Sequence, residues 1–304
     1  MPVPQLVNLT DADGARAVVA PELGGWLLRY ARELPPHGAV EALHFDQAVV
    51  DRYPRELYTG NPLLFPLVSF NHLPDADHHY EWQGRRYQML QHGFARHCSW
   101  AVVDQSADAL TMELRDTEAT RAHYPFAFCH RLSYRLHAGR LHGEQSVTNL
   151  GPDAMPFSTG IHPYFAVPFT PRGRRAECFV TVPDCRRLTM HGRGEHFTAK
   201  PFPAQNWSVS EDVSAALFLA GLRKRELALV DPGSELEVVL NWEGAPQHRF
   251  VAFWSRSTTE PFYCLEPWTA LSNAFTRAKD HELVLLDSGQ TFEAVFWLEL
   301  RPLA

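Results

Sequence analysis

Two segments of the chain combine a side chain able to transfer protons with a stiffened backbone. Gly160-Ile161-His162-Pro163-Tyr164-Phe165 places a histidine at the end of an apolar strand, and Cys264-Leu265-Glu266-Pro267-Trp268 places a glutamate just before a proline. An unperturbed imidazole titrates near 6.5, so near neutral pH an imidazolium is a competent acid and a carboxylate a competent base. Taken singly, each also has a plain structural explanation: the histidine as a packed core side chain, the glutamate as a loop hydrogen-bonder. A third segment, Gln91-His92-Gly93-Phe94-Ala95-Arg96-His97, adds an imidazole with a guanidinium four residues on. A fourth, Thr59-Gly60-Asn61-Pro62-Leu63-Leu64-Phe65-Pro66, is an apolar run pinned by two prolines and reads as packing.

The elements that must position these residues repeat with a period of two. Leu110, Met112 and Leu114 alternate with Thr111, Glu113 and Arg115, and Phe126 to Leu136 alternates in the same way. Each pattern predicts a strand with one face in the core. Leu236 to Leu240, Arg249 to Trp254 and Phe292 to Leu300 repeat the signal, with turns expected at Ala138-Gly139, Asn149 to Asp153, Asp231 to Ser234 and Asp287 to Gln290. Closely spaced strands punctuated by 23 prolines and 18 glycines predict an all-β, antiparallel sandwich. One helix is expected from Ser210 to Leu222, capped by Ser210 and stopped by Gly221. Without a repeat, a low-complexity stretch or a composition shift, residues 1–304 are expected to form a single domain.

Composition narrows the function classes. The 35 acidic residues outnumber the 28 basic ones, for a net charge of -7, and no basic block is present to displace counterions. Nucleic acid and anionic membrane are therefore unlikely partners on electrostatic grounds. The start, Met1-Pro2-Val3-Pro4-Gln5, has no basic region followed by an apolar run, and no stretch approaches the length needed to span a bilayer. Five cysteines without CxxC or zinc-finger spacing fit reduced thiols, so a cytoplasmic protein is expected.

Taken together, Asn61 to Pro66, Gln91 to Arg96 with Trp100, Gly160 to Phe165 and Leu265 to Trp268 resemble the aldose 1-epimerase (mutarotase) superfamily, including its hexose-6-phosphate epimerase branch. The resemblance covers roughly residues 15–300. It implies a large antiparallel β-sandwich, the galactose mutarotase-like supersandwich, with an open sugar groove on its concave face, and neither metal nor organic cofactor. It also implies an isomerase of carbohydrate metabolism that interconverts the α and β anomers of an aldose or aldose phosphate. His162 is then the acid and Glu266 the base, facing each other across a sugar-sized gap. By the same resemblance His92 and Arg96 face the sugar, and Trp268 offers an apolar face to it, while Trp100 reads at least as well as core. The partner is a monosaccharide or sugar phosphate, and the chain is expected to be a monomer or homodimer. The other function compatible with this fold is a carbohydrate-binding or sensing protein without turnover.

The chain departs from the pattern in places. Galactose-type members carry an Asn-Arg pair shortly after the first motif, where this chain has Asn71-His72. An aspartate beyond the histidine holds a sugar hydroxyl in those members; Asp184 and Asp231 are the candidates, and Asp231 also reads as a turn residue before Pro232-Gly233. Arg85, Arg86 and Arg96 could meet a phosphate, although Arg85-Arg86 follows Gly84 at what reads as a hairpin tip. A glycoside hydrolase would pair Glu266 with Asp231, Glu260 or Glu144, none of which sits in a comparable motif. A metal enzyme would use histidines, but neither His92 with His97 nor His78-His79 has the His-x-x-x-His spacing of a helical metal site.

Overall fold

The structure is a computed structural model that describes residues 4–277 and 282–303, so the start of the chain at Met1 to Val3 lies outside it. Alternating strands form as the sequence predicts. Ala109–Arg115 and Phe128–His137 pair antiparallel, and a two-residue turn at Ala138-Gly139 sends the chain back through Arg140–Asn149. These belong to a nine-stranded sheet that continues through Thr291–Pro302, Leu236–Asn241 and Glu226–Asp231. An eight-stranded sheet lies opposite, running His196–Phe202, Cys185–His191, Leu217–Ala220, Phe250–Trp254, Phe262–Trp268, Gly160–Ile161 and Leu63–Leu64, with Tyr164–Ala166 also paired to Phe262–Trp268.

The main core lies between the sheets. Leu132, Tyr134, Leu298 and Leu300 from one meet Val251, Phe253, Tyr263 and Leu265 from the other. Because strand side chains alternate, the intervening residues of the eight-stranded sheet, Ala252, Trp254, Cys264, Glu266 and Trp268, project to its opposite face. That face carries the site.

The helix expected from Ser210 to Leu222 does not form. Leu217–Ala220 is a strand between Cys185–His191 and Phe250–Trp254. Leu217 and Leu219 enter the main core while Phe218 packs with Trp268 on the other face. A run covered on both faces is apolar at every position, which hides its period. The Arg85-Arg86 pair does sit on a tight hairpin, with Gln83 and Gly84 in the left-handed region, and Arg86 pairs with Asp75 at the surface. All five cysteines are free thiols, and among the described residues no helix is long and apolar enough to cross a membrane.

Candidate active site

The strand Phe262–Trp268 is the spine of the site. It is buried along its whole length, and two short segments of the His162 motif pair with it in a single register: Gly160 opposite Trp268, and Tyr164 opposite Cys264. The residue midway, His162, therefore falls opposite Glu266. Directly opposed residues of an antiparallel pair bring their Cβ atoms to roughly 4.5–5.5 Å, so the two functional groups meet. His162 Nε2 lies 3.2 Å from Glu266 Oε2, with the residues only 5% and 1% exposed. The sequence reading had put them across a sugar-sized gap; register puts them in contact.

Each flank of this pair has its own support. The His162 amide donates to Asn61 Oδ1 at 2.9 Å, which gives the Asn61-Pro62 turn a positioning role the sequence reading missed. Thr159 and Thr269 brace the two strands, the Thr159 amide donating to Thr269 Oγ1 and the Thr269 amide to the Thr159 carbonyl. A Cβ on Gly160 would stand 2.5 Å from the Trp268 ring and 2.7 Å from the Pro267 carbonyl oxygen, so glycine is what lets Trp268 lie across its partner strand. Tyr164 stacks on the His162 ring at 4.6 Å and nearly parallel, fixing its plane.

His92 arrives from a different loop. It sits in the left-handed region, and so does Gly93, where a Cβ would meet the Phe65 carbonyl oxygen at 2.1 Å. The Ser69 amide donates to His92 Nδ1 at 3.0 Å. That nitrogen is therefore the acceptor, and the ring proton is on Nε2. The His92 ring lies 5.4 Å from His162 and 5.8 Å from Trp268. Arg96, on the short 3-10 turn Ala95–His97, donates to the Gln91 carbonyl.

These residues enclose a cavity of about 390 Å³, within the range of small-molecule sites. His92, Arg96, His162, Glu266 and Trp268 all line it. Tyr58, Gln91 and Trp254 line it too, as do the hydroxyls of Ser69 and Ser272, which bond each other at 2.7 Å; none of these was singled out from sequence. Four polar atoms of the lining are buried without a hydrogen-bond partner: Arg96 Nε, His162 Nδ1, Glu266 Oε2 and Trp268 Nε1. Buried polar atoms without a partner are uncommon, and these four belong to residues that line one cavity.

Burial also sets the protonation of the pair. Desolvation, helped by the Arg96 charge, pushes His162 down to about 3, so the ring is neutral near pH 7 rather than the imidazolium expected from sequence. Glu266 is driven the other way, well above the usual carboxylate range, by burial, with Trp268 and Arg96 pulling back. Burial and Arg96 hold His92 well below its ordinary value. Burial thus favours the uncharged form of each partner, an imidazole and a carboxylic acid.

Other residues from the sequence reading lie elsewhere. Asp231 is fully buried, accepts from the Phe169 and Ser234 amides and the Ser234 hydroxyl, and caps the turn at Pro232–Ser234; it is a structural cap, not a sugar ligand. Asp184 accepts from the Ala204 amide at an exposed turn. Asn71 and His72 do not line the cavity. Asn71 Oδ1 accepts from the Phe275 amide, and the His72 amide donates to Asn273 Oδ1, so both hold the segment after Ser272. Trp100 is core, its indole bonded to the Ala95 carbonyl. Glu260 is paired with Arg256 and Glu144 is exposed, so neither joins Glu266.

A concave antiparallel sheet with a histidine and a glutamate at the floor of a small cavity is the galactose mutarotase-like β-sandwich. The aldose 1-epimerase sequence profile matches residues 8–192, and the chain belongs to that family. It is 26% identical over 235 residues to the chromosomal LacX protein of Lactococcus lactis subsp. lactis, covering 72% of this chain and 77% of that one. Among solved structures it is similar to the Slr1438 protein of Synechocystis sp. PCC 6803, with a TM-score of 0.82 at 24% identity, covering 99% of this chain and 96% of that one. A galactose mutarotase related enzyme of Lactobacillus acidophilus superposes with a TM-score of 0.78 at 22% identity, covering 98% and 97%. At these identities the solved structures speak for the fold.

Proposed function

We propose that the chain, acting as one domain, is an aldose 1-epimerase in which His162 and Glu266 interconvert sugar anomers by opening and reclosing the pyranose ring. The observation that carries this reading is the 3.2 Å contact between His162 Nε2 and Glu266 Oε2 at the cavity floor. Ring opening removes the proton of the C1 hydroxyl and delivers one to the ring oxygen. Both oxygens are bonded to C1, so an acid and a base that serve them must converge, and a touching pair reaches both from one side.

The shared proton gives the pair its reversibility. Transfer from Glu266 to His162 turns the neutral pair into carboxylate and imidazolium, and Arg96 favours the carboxylate form. Glu266 then takes the C1 hydroxyl proton as His162 protonates the ring oxygen. The C1–C2 bond of the free aldehyde rotates, and closure on the other face runs the two transfers backwards. No covalent intermediate is needed. His92 presents its Nε2 proton to a ring substituent, Trp268 offers its face to the C–H groups, and Arg96 binds hydroxyls. Among the described residues Arg96 is the one arginine or lysine lining the cavity and Glu266 the one carboxylate, a balance that suits a neutral aldose better than a sugar phosphate.

Magnetisation-exchange NMR with glucose, galactose, xylose and glucose 6-phosphate tests the reading. Exchange above the uncatalysed rate is expected, and Glu266→Gln and His162→Asn should each lose about 10²–10⁴-fold of it while sugar affinity stays within several-fold. Near-normal exchange in either variant removes that residue from its role. Saturable binding with no exchange for any sugar would make the protein a sugar sensor.

A further inference from the structure

We propose that the floor of the cavity is also a zinc-binding site, formed by His162, Cys264 and Glu266. Cys264 and Glu266 are two apart on Phe262–Trp268 and so project to the same face, and His162 reaches that face from the neighbouring strand. A nitrogen of His162, the Cys264 sulfur and a Glu266 oxygen all lie within 4.8 Å of one another. Zinc accepts this set of donors at about 2.0–2.3 Å, which places tetrahedral ligands roughly 3.3–3.7 Å apart. The cluster therefore needs to contract by about an ångström at its widest separation. A second observation points to a ligand: Glu266 Oε2 is buried and makes no hydrogen bond, its 3.2 Å contact with His162 Nε2 lacking the geometry for one.

The chemistry selects the ion. A thiolate and an imidazole suit zinc and related soft or borderline ions, whereas magnesium and calcium prefer oxygen ligands alone. The ion enters from the cavity, which His162 and Glu266 line, and Cys264 coordinates from beneath. On binding, the thiol and carboxyl protons leave to solvent, and the fourth coordination position faces the cavity. The site is inhibitory rather than catalytic, because the metal occupies the two atoms that would carry the shuttled proton. That consequence rests on the proposed anomer exchange; the site itself does not.

The test titrates zinc into the metal-free full chain and records zinc-edge X-ray absorption, comparing wild type with Cys264→Ser and Cys264→Ala, with magnesium as the control ion. One zinc per chain is expected, with a sulfur neighbour at about 2.3 Å. Both variants should lose the sulfur signal and bind zinc at least about tenfold more weakly, since losing a direct ligand costs no less than losing an outer one. Thermal melts establish that each variant is folded, and the serine variant decides if the alanine variant is not. Substoichiometric zinc, a shell of nitrogen and oxygen only, or unchanged binding in the serine variant overturns the proposal. Zinc should also slow anomer exchange in wild type but not in Cys264→Ser. A sulfur-bound zinc that leaves exchange untouched would uphold the site and count against His162 and Glu266 as the reacting pair.

Discussion

His130 offers a direct test of how burial controls this protein's histidines. Its ring is fully buried beside Phe65 at 4.6 Å and Trp100 at 5.1 Å, with Gln145 as the polar side chain that tempers the effect of burial. Burial pushes it down to about 3 from the ordinary 6.5, so the folded state excludes a proton that the unfolded chain accepts. Because the folded value is depressed, stability is complete above 6.5 and is lost as pH falls from there towards 3. At pH 5 the cost is RT ln[(1 + 10^1.5)/(1 + 10^-2)], or about 2 kcal/mol. Replacing His130 with Leu removes that proton-binding site and a buried, poorly satisfied polar ring together. Urea unfolding at pH 7 should show a variant about as stable as wild type, because the cost of a poorly satisfied buried polar group, about 1–3 kcal/mol, offsets the lost Gln145 contact. Between pH 7 and pH 5 the wild type should lose about 2 kcal/mol more than the variant. Equal losses in the two proteins would refute the reasoning.

Three further outcomes follow from the site and its supports. The acid limb of the pH profile of kcat/KM should lie well below the ordinary imidazole value of 6.5, because activity fails only when the pair gains a second proton and His162 is held low; a limb near 6.5 would mean the resting pair is not the neutral one. Gly93→Ala should destabilise the fold by more than about 1 kcal/mol and weaken sugar binding, since the new methyl meets the Phe65 carbonyl and displaces His92; calorimetry and an affinity titration check both effects. Asp231→Ala should lower stability by about 1–3 kcal/mol through its lost buried hydrogen bonds yet leave exchange per folded molecule unchanged, and an unaltered melting temperature with lost exchange would return Asp231 to the site.

The strands with one wet face were legible in the sequence because the alternation of Ala109–Arg115 or Thr291–Pro302 is the pattern of burial itself. Leu217–Ala220 was not, because its core-facing leucines and groove-facing Phe218 leave no polar position to mark the period. The lining residues His92, Arg96, His162, Glu266 and Trp268 stood out because each belongs to a segment that breaks the alternation. Ser69, Ser272, Tyr58 and Trp254 carry no such mark. Ser69 acts through its backbone amide, and Tyr58 and Trp254 meet only in the fold, stacked at 6.0 Å. Asp231 misled because an aspartate before Pro-Gly looks the same in sequence whether it caps a turn or meets a ligand, and only the amides of Phe169 and Ser234 decide it.

The contact between His162 and Glu266 is a property of register, which neither motif contains. Once Gly160 pairs with Trp268 and Tyr164 with Cys264, the histidine has no other residue to stand over, and the stack on Tyr164 removes its freedom to swing away. A one-residue slip would turn Glu266 into the core and Leu265 into the cavity. The threonine brace at Thr159 and Thr269, just beyond the pair, opposes that slip. The same register brings two ionisable groups together in a buried floor, where desolvation disfavours the charged form of each. At 3.2 Å their contact leaves no room for a sugar ring between them. The register of three short strand segments thereby sets the geometry of the pair and the burial that pushes both groups towards their uncharged forms.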